Sequence, residues 1–396
     1  MKRKVCVVTG SRAEYGLLKW LLRDIDASGN MALQLVVTGA HLSPEFGLTY
    51  REVEADGFRI DRRIETLLAS DTAVGATKSL GLGVTAFADA FAELAPDLLV
   101  VLGDRYELLA PVSAALLARI PIAHIHGGEV TEGAIDDAVR HAITKLSHLH
   151  FVATDAYRER VIQLGEYPDR VRVVGGLGVD AISRIKLLDK DALSQAIGFD
   201  FAARNLLVTF HPETLSSLSP ETQVGALLKS LDGFPEVGLI ITYPNADVGG
   251  QSIAGLFEAF AGTRRGVKVF RSLGQLNYLS CLQFVDGVVG NSSSGLLEAP
   301  TFHIGTVNIG HRQSGRPRAE SVIDCGMDEV QITVALNTLY SDAFRARLPS
   351  VKNPYGDGGA ARQIVDELEN TDFAMLLQKS FHDLRSTAGG ACGHQH

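Results

Sequence analysis

Three features of this 396-residue chain predict an α/β fold built from doubly wound parallel sheets. Its apolar runs are short and uniformly apolar, which suits strands covered on both faces. Each run ends in small or polar residues. Helical patterns alternate with the runs throughout. The first half carries KVCVVTG, ALQLVVTG, DLLVVLGDR, PIAHIHGG and LHFVAT; the second carries NLLVTFHP, GLIITYPN, KVFRSL, GVVGNSSSG and TVNIG. LLKWLLRDI and AFADAFAELA exemplify the helices between them. Because the strand series occurs twice, two similar successive halves are expected, and at this length two domains are the default.

The start, MKRKVCVVTGSR, has basic residues before an apolar run, but the run VCVV is too short for a signal peptide and reads as the first buried strand. Gly10 then permits a tight turn into a helix whose N-terminus, beside Arg12, can receive a phosphate. A plain strand–helix turn with a solvated Arg12 would read the same way. The turn lacks GxGxxG, which disfavours a dinucleotide site. LGDRYE next sets Asp104 and Arg105 after a buried strand, where Asp104 serves a site or caps a helix.

HIHGGEVTEGAIDDAVRH, His124 to His141, is denser in titratable groups than a fold requires. His126 and Glu129 leave a strand beside a Gly-Gly pair that lets a ligand approach the backbone. Asp136, Asp137, Arg140 and His141 follow on a helix. A zinc site is not expected, because His124 and His126 lie on a strand and loop rather than one helical turn apart.

In the second half TFHPE offers His211 at a strand end, and TYPNAD offers Asn245 and Asp247. GNSSSGLLEAP is the strongest anion signal. The hydroxyls of Ser292, Ser293 and Ser294, with backbone N–H groups, precede a helix whose dipole favours phosphate. Glu298, in its first turns, is placed to accept the hydroxyls of a ribose. A helix cap needs only one such residue, and three serines with Asn291 exceed that need.

The net charge of −9 and the lack of a basic run argue against nucleic acid, so an anionic substrate must be held by local cations or helix ends. No apolar run reaches the roughly 20 residues that span a bilayer. Cys6, Cys281, Cys325 and Cys392 lie far apart without CxxC spacing, which fits reduced thiols in a cytoplasmic protein and no metal site. The glycine-rich stretch VRVVGGLGVDAI precedes a charged helix and a new strand series, so residues 1–181 are expected as the first Rossmann-like domain and 182–365 as the second. Residues 366–380 are expected as a helix returning to the first domain, and 381–396 as a loose tail.

Together GSRAEYG, LGDRYE, HIHGGEVTEGAIDDAVRHAITKLSHLHF, TFHPET, GNSSSGLLEAP and NPYGDG resemble the hydrolysing UDP-N-acetylglucosamine 2-epimerases of bacterial sialic acid and legionaminic acid pathways. The likeness runs to about Leu377. It implies a glycosyltransferase-B-like fold, two Rossmann-like domains with the active site in their cleft. It also implies that UDP-N-acetylglucosamine and water give UDP and N-acetylmannosamine through a 2-acetamidoglucal. Proton transfers would fall to Asp104, Glu129 and Asp136, with Asp137 as the alternative to Asp136. Arg12 and the catalytic His211 would face the diphosphate and sugar. Ser293, Ser294 and Gly295 would hold phosphate and Glu298 the ribose, with His126, Arg105, Asn245 and Ser292 as further contacts. The resemblance implies no cofactor and no metal, a UDP-sugar as the partner, and a homodimer or homotetramer without nucleic acid or membrane. UDP- or GDP-linked 2,4-diacetamido sugars are alternative substrates. A non-hydrolysing epimerase is a further alternative, although its family carries other patterns at GSRAEYG and HGGE.

Overall fold

A computed structural model describes residues 2–70, 72–130, 135–212, 219–244 and 250–384. The chain divides into two compact units, Met1–Val174 with Ala360–His396, and Gly175–Gly359.

In the first unit seven parallel strands run β1 (Arg3–Thr9), β2 (Met31–Thr38), β3 (Arg62–Ile64), β4 (Leu98–Leu102), β5 (Ile122–Ile125), β6 (Leu149–Val152) and β7 (Val171–Val173). Their spatial order is β3-β2-β1-β4-β5-β6-β7. Val5, Val7 and all of β4 are buried, as runs covered on both faces must be. One face is covered by the helices Ala73–Leu94 and Leu109–Leu117, which supply Phe87, Phe91 and Val112 to the core. The order reverses between β1 and β4, so the loops after these strands diverge and leave a crevice at their C-terminal ends. Gly10–Arg12 and Gly103–Arg105 are those loops.

The second unit repeats the plan with six parallel strands: β8 (Arg204–Thr209), β9 (Val237–Thr242), β10 (Val267–Phe270), β11 (Gly287–Gly290), β12 (Gly305–Ile309) and β13 (Val322–Cys325). The order β10-β9-β8-β11-β12-β13 reverses between β8 and β11. His211 and Asn291 follow those two strands. Gly290, at φ +134°, ends β11 where a Cβ would run into the Thr209 carbonyl, so only glycine fits.

All ten apolar runs read from the sequence form strands. Three further strands, β3, β7 and β13, have three, three and four residues and lie at sheet edges. With one side unpaired they mix polar and apolar residues. Arg62 and Arg63 of β3 pair with Glu93 and Glu54.

The boundary expected after residue 181 lies instead at Val174. The helix Leu177–Arg184 belongs to the second unit, because Ile182 packs with Leu193, Leu207 and Ile240 and Asp180 accepts the Gly359 N–H at 2.6 Å. The chain rejoins the first unit at Ala360 rather than 366. There the helix Ala360–Asn370 packs on Arg12–Asp26, and Arg3 donates to the carbonyls of Glu369 (2.9 Å) and Thr371 (2.6 Å). Most of the expected tail, 385–396, lies outside the described residues.

One buried carboxylate fastens this last segment. Glu166 accepts from His150 at 2.9 Å and from Lys145 and Lys379 at 2.8 Å each. Burial alone would raise its carboxyl, but these three donors outweigh burial and pull it down to about 2. Glu166→Gln should therefore destabilise the first unit by about 1–3 kcal/mol, since it removes the buried charge that three donors share, although Lys145 and Lys379 keep contact with water. Urea unfolding measures this, and a change below about 1 kcal/mol would show the cluster to be energetically idle.

Candidate active site

At the β1–β4 crevice the sequence Ser11-x-x-Glu14 forms a capping arrangement. Ser11 caps the helix Arg12–Asp26, and the Glu14 carboxylate accepts the Gly10 N–H at 2.7 Å and the Ser11 hydroxyl at 3.3 Å. The helix N-terminus expected to receive a phosphate thus already holds an internal carboxylate. Burial chiefly, with the Glu107 charge beside it, raises Glu14 to about 7 against the pull of the Gly10 N–H. Arg12 is exposed and pairs with Glu52 at 3.0 Å, a geometry worth little in water. His41 ties the ends of β1 and β2 to the next turn, bonding Thr9 at 3.0 Å and Thr49 at 2.8 Å. Burial pushes its imidazole down to about 4. A cavity of about 370 Å³ opens beside these groups, with Ser11, Arg12, Arg105 and Glu107 at its polar end.

His124 organises the neighbouring acids. This fully buried imidazole meets the Gly103 carbonyl through Nε2 at 2.8 Å and the Thr144 hydroxyl through Nδ1 at 3.0 Å. A carbonyl can only accept, so Nε2 carries the hydrogen and Nδ1 accepts from Thr144. The bonds join β5 to the loop bearing Asp104 and to the helix Ile135–Leu146. From that helix the buried Arg140 pairs with Asp104. Asp136 lies one turn before Arg140 on the same face, whereas Asp137 sits 3.5 Å from His141. The chain leaves β5 through His126 at φ +64°, a conformation uncommon for a side chain other than glycine. His126 Nδ1 lies 3.3 Å from Glu129, which is nine-tenths buried. Gly128 (φ +77°) completes the bend where a Cβ would strike the Tyr157 carbonyl. Asp104, Arg140, His126 and Glu129 are thereby held on rigid strand ends and one helix.

In the second unit Asn291 braces His211. Its side chain accepts the His211 N–H at 2.7 Å and donates to the His211 carbonyl at 2.8 Å. The serine run differs from the sequence expectation. Its helix, Ser294–Leu297, has only four residues and continues as a 3-10 turn, so little dipole accumulates. The Ser294 amide bonds Ser292 Oγ at 3.4 Å and the Gly295 amide bonds the Ser292 carbonyl at 3.3 Å. What remains available to an anion includes the half-buried hydroxyls of Ser292 and Ser293. Gly295 fits because a Cβ there would strike Thr306. The Tyr278 hydroxyl donates to Ser294 at 2.7 Å, and Ser294 in turn bonds Glu298. Burial raises the Glu298 carboxyl, opposed by that bond. Asn245 and Asp247 lie outside the described residues.

Arg105 meets Glu107, a residue the sequence reading passed over together with Glu14 and Thr144. The Ser-x-x-Glu signature was the available signal for Glu14. No comparable pattern marks Thr144, whose partner His124 lies on another element, and Glu107 follows Arg105 in LGDRYE without a signature of its own. Among the described residues, no group of three or more His, Cys, Asp or Glu is arranged to hold a metal, and no helix is long and apolar enough to cross a membrane.

Residues 23–369 match the family model of UDP-N-acetylglucosamine 2-epimerase. A Campylobacter jejuni protein named GDP/UDP-N,N'-diacetylbacillosamine 2-epimerase (hydrolyzing) is 41% identical over 97% of this chain and 100% of its own length. A Legionella pneumophila protein named UDP-N,N'-diacetylbacillosamine 2-epimerase (hydrolyzing) is 36% identical over 93% of this chain and 96% of its own. In fold the chain is similar to the crystal structure of UDP-GlcNAc 2-epimerase from Neisseria meningitidis, with a TM-score of 0.74 and 17% identity over 93% of this chain and all of that one.

The His124 bonds carry a stability prediction. Burial pushes His124 down to about 3, so the folded imidazole stays neutral while an unfolded one gains a proton below about pH 6.5. The unfolded state then binds more protons, so stability is full above about pH 6.5 and falls as pH drops toward 3. Thr144→Val keeps the side-chain shape but removes the donor to Nδ1, and should cost about 1–3 kcal/mol at pH 7.5. Urea titrations of both proteins across pH 4–8 test this. Equal stability at pH 7.5 would show that the Thr144 bond contributes nothing.

Proposed function

Because the chain belongs to the UDP-N-acetylglucosamine 2-epimerase family, on its hydrolysing branch, we propose that it converts a UDP-linked 2-acetamido sugar and water to UDP and the free C2 epimer. UDP-N,N'-diacetylbacillosamine is the preferred substrate in this reading, supported by the names of the relatives at 41% and 36% identity. UDP-N-acetylglucosamine is the second, supported by the family description. The free sugar product suits the synthesis of sialic acid-like acids. The observation that carries the reading is a carboxylate-rich crevice at the reversal of strand order in the first Rossmann-like unit, where Asp104 and Glu129 are each held by a partner.

The chemistry asks for such a set. A sugar C2–H is barely acidic, so it is removed as UDP departs from C1. A base takes the proton, the C–H electron pair becomes the C1=C2 bond, and the C1–O pair leaves on the β-phosphate. Water then adds its oxygen to C1 while an acid returns a proton to C2 on the opposite face. Base, acid and a water-activating group are all required. Asp104, Glu129 and Asp136 take these parts. Asp104 is oriented by Arg140 and Glu129 by His126. Asp136 is preferred to Asp137 because it shares the Arg140 face, while Asp137 is turned toward His141. Arg12 and His211 stabilise the charge developing on the departing diphosphate, the serine run holds phosphate and Glu298 holds the ribose.

Turnover in deuterated water, followed by NMR, tests the reaction: free UDP and a C2-deuterated epimer are expected. Asp104→Asn, Glu129→Gln and Asp136→Asn should each lower kcat at least about a hundredfold, and Asp137→Asn far less. Near-normal turnover in any of the first three would remove that residue from the chemistry. Ser293→Ala and Glu298→Ala should each weaken UDP binding by about 1–3 kcal/mol in calorimetry. Unchanged affinity in both would reduce the serine run to a structural turn.

A further inference from the structure

His126 meets the Glu129 carboxylate, but a carboxylate is placed only as well as the backbone that bears it. That backbone lies in a bend. His126 and Gly128 both have positive φ, so the chain leaves the sheet sharply and its peptide groups need partners other than a neighbouring strand. One partner comes from the helix Asp155–Gln163, which follows β6 and is capped by Thr154. Tyr157, Arg160 and Val161 share one face of that helix by their three- and four-residue spacing. Tyr157 and Val161 are buried, and Gly128 lies flush against them. A Cβ on it would strike the Tyr157 carbonyl and sit 3.0 Å from Val161 Cγ2. Arg160, on the same face, donates from Nη1 to the Gly128 carbonyl, with its guanidinium 5.8 Å from the centroid of the Tyr157 ring. A guanidinium bonding a carbonyl makes a charge-assisted hydrogen bond, stronger than a neutral one.

Gly128 and Glu129 share one planar peptide group, so holding its carbonyl sets the direction in which Glu129 leaves the bend. We propose that Arg160 is a positioning residue for Glu129. Through the Gly128 carbonyl it orients the peptide from which the Glu129 side chain departs, while His126 orients the carboxylate at the other end. The assignment rests on the epimerase reading for the part Glu129 plays, and adds a residue that acts on the reaction without touching the sugar.

Kinetics of UDP release and hydrogen exchange test this on the full chain. Arg160→Met keeps an unbranched side chain over Tyr157 but removes the donor. With UDP-N,N'-diacetylbacillosamine it should lower kcat about 10–100-fold, the scale of a displaced catalytic group, while KM and the Kd for UDP stay within about twofold. In the Glu129→Gln background the same change should cost less than about threefold, because a residue acting through Glu129 has no carboxylate left to place. An equal loss in both backgrounds, or a loss carried by KM alone, would make Arg160 a general structural residue and overturn the proposal. Backbone amides of residues 127–130 should exchange at least about tenfold faster in Arg160→Met, with the strands unchanged. Unaltered exchange at those amides would overturn the brace whatever the kinetics. Should Arg160→Met not fold, Arg160→Lys, whose ammonium cannot reproduce the guanidinium geometry, carries the same readouts. If wild-type protein releases UDP from neither UDP-N,N'-diacetylbacillosamine nor UDP-N-acetylglucosamine, the proposed reaction fails, and the exchange rates then decide the brace by themselves.

Discussion

The first unit depends on a histidine that cannot afford a charge. His124 bonds a carbonyl on one side and a hydroxyl on the other, the neutral ring donating from Nε2 to the carbonyl and accepting at Nδ1 from the hydroxyl. Burial enforces that neutrality. Through these two bonds the end of β4, the end of β5 and the helix Ile135–Leu146 are fixed to one another. Arg140 then enters the interior at a set position and must find a carboxylate there, which is Asp104. Glu166 fastens the opposite end of the same helix through Lys145. A carboxylate held in one fixed orientation needs such support.

The two units share one winding and differ in what they carry at the reversal of strand order. The first has carboxylates, with Asp104 beside Arg140, Glu129 beside His126 and Glu107 beside Arg105. The second has hydroxyls and one carboxylate whose burial raises it. The division follows from strand ends being the only places in a doubly wound sheet where backbone and side chains both turn outward. Chemistry that needs proton transfer and nucleotide binding can be divided between two such ends without either compromising the other.

Much of this was legible in the sequence. Central strands announce themselves because burial on both faces demands unbroken Val, Ile and Leu, whereas β3, β7 and β13 have one open side and no such demand. Residues at strand ends were readable for the same reason, as polar groups closing an apolar run. Two things were not. The helix after the serine run has only four residues and passes into a 3-10 turn at Ala299 and Pro300, a length that the apolar run LLEA did not announce. The partners of His124, the Gly103 carbonyl and the Thr144 hydroxyl, lie across the fold, and no local spacing encodes them. The Ser11-x-x-Glu14 signature was local and readable, and its meaning opposes the phosphate site inferred at the same turn.

The arginines of β3 bear on how the protein behaves in a crowded solution. An open parallel sheet ends in a row of unpaired N–H and C=O groups, which can template another chain's strand. β3 answers with brevity and charge: three residues, two of them arginines paired to Glu93 and Glu54 across their own unit. A strand arriving at that edge would have to displace both ion pairs and lie beside two cations for only a few hydrogen bonds. The same residues that made β3 invisible as an apolar run thus protect the sheet from edge-to-edge aggregation.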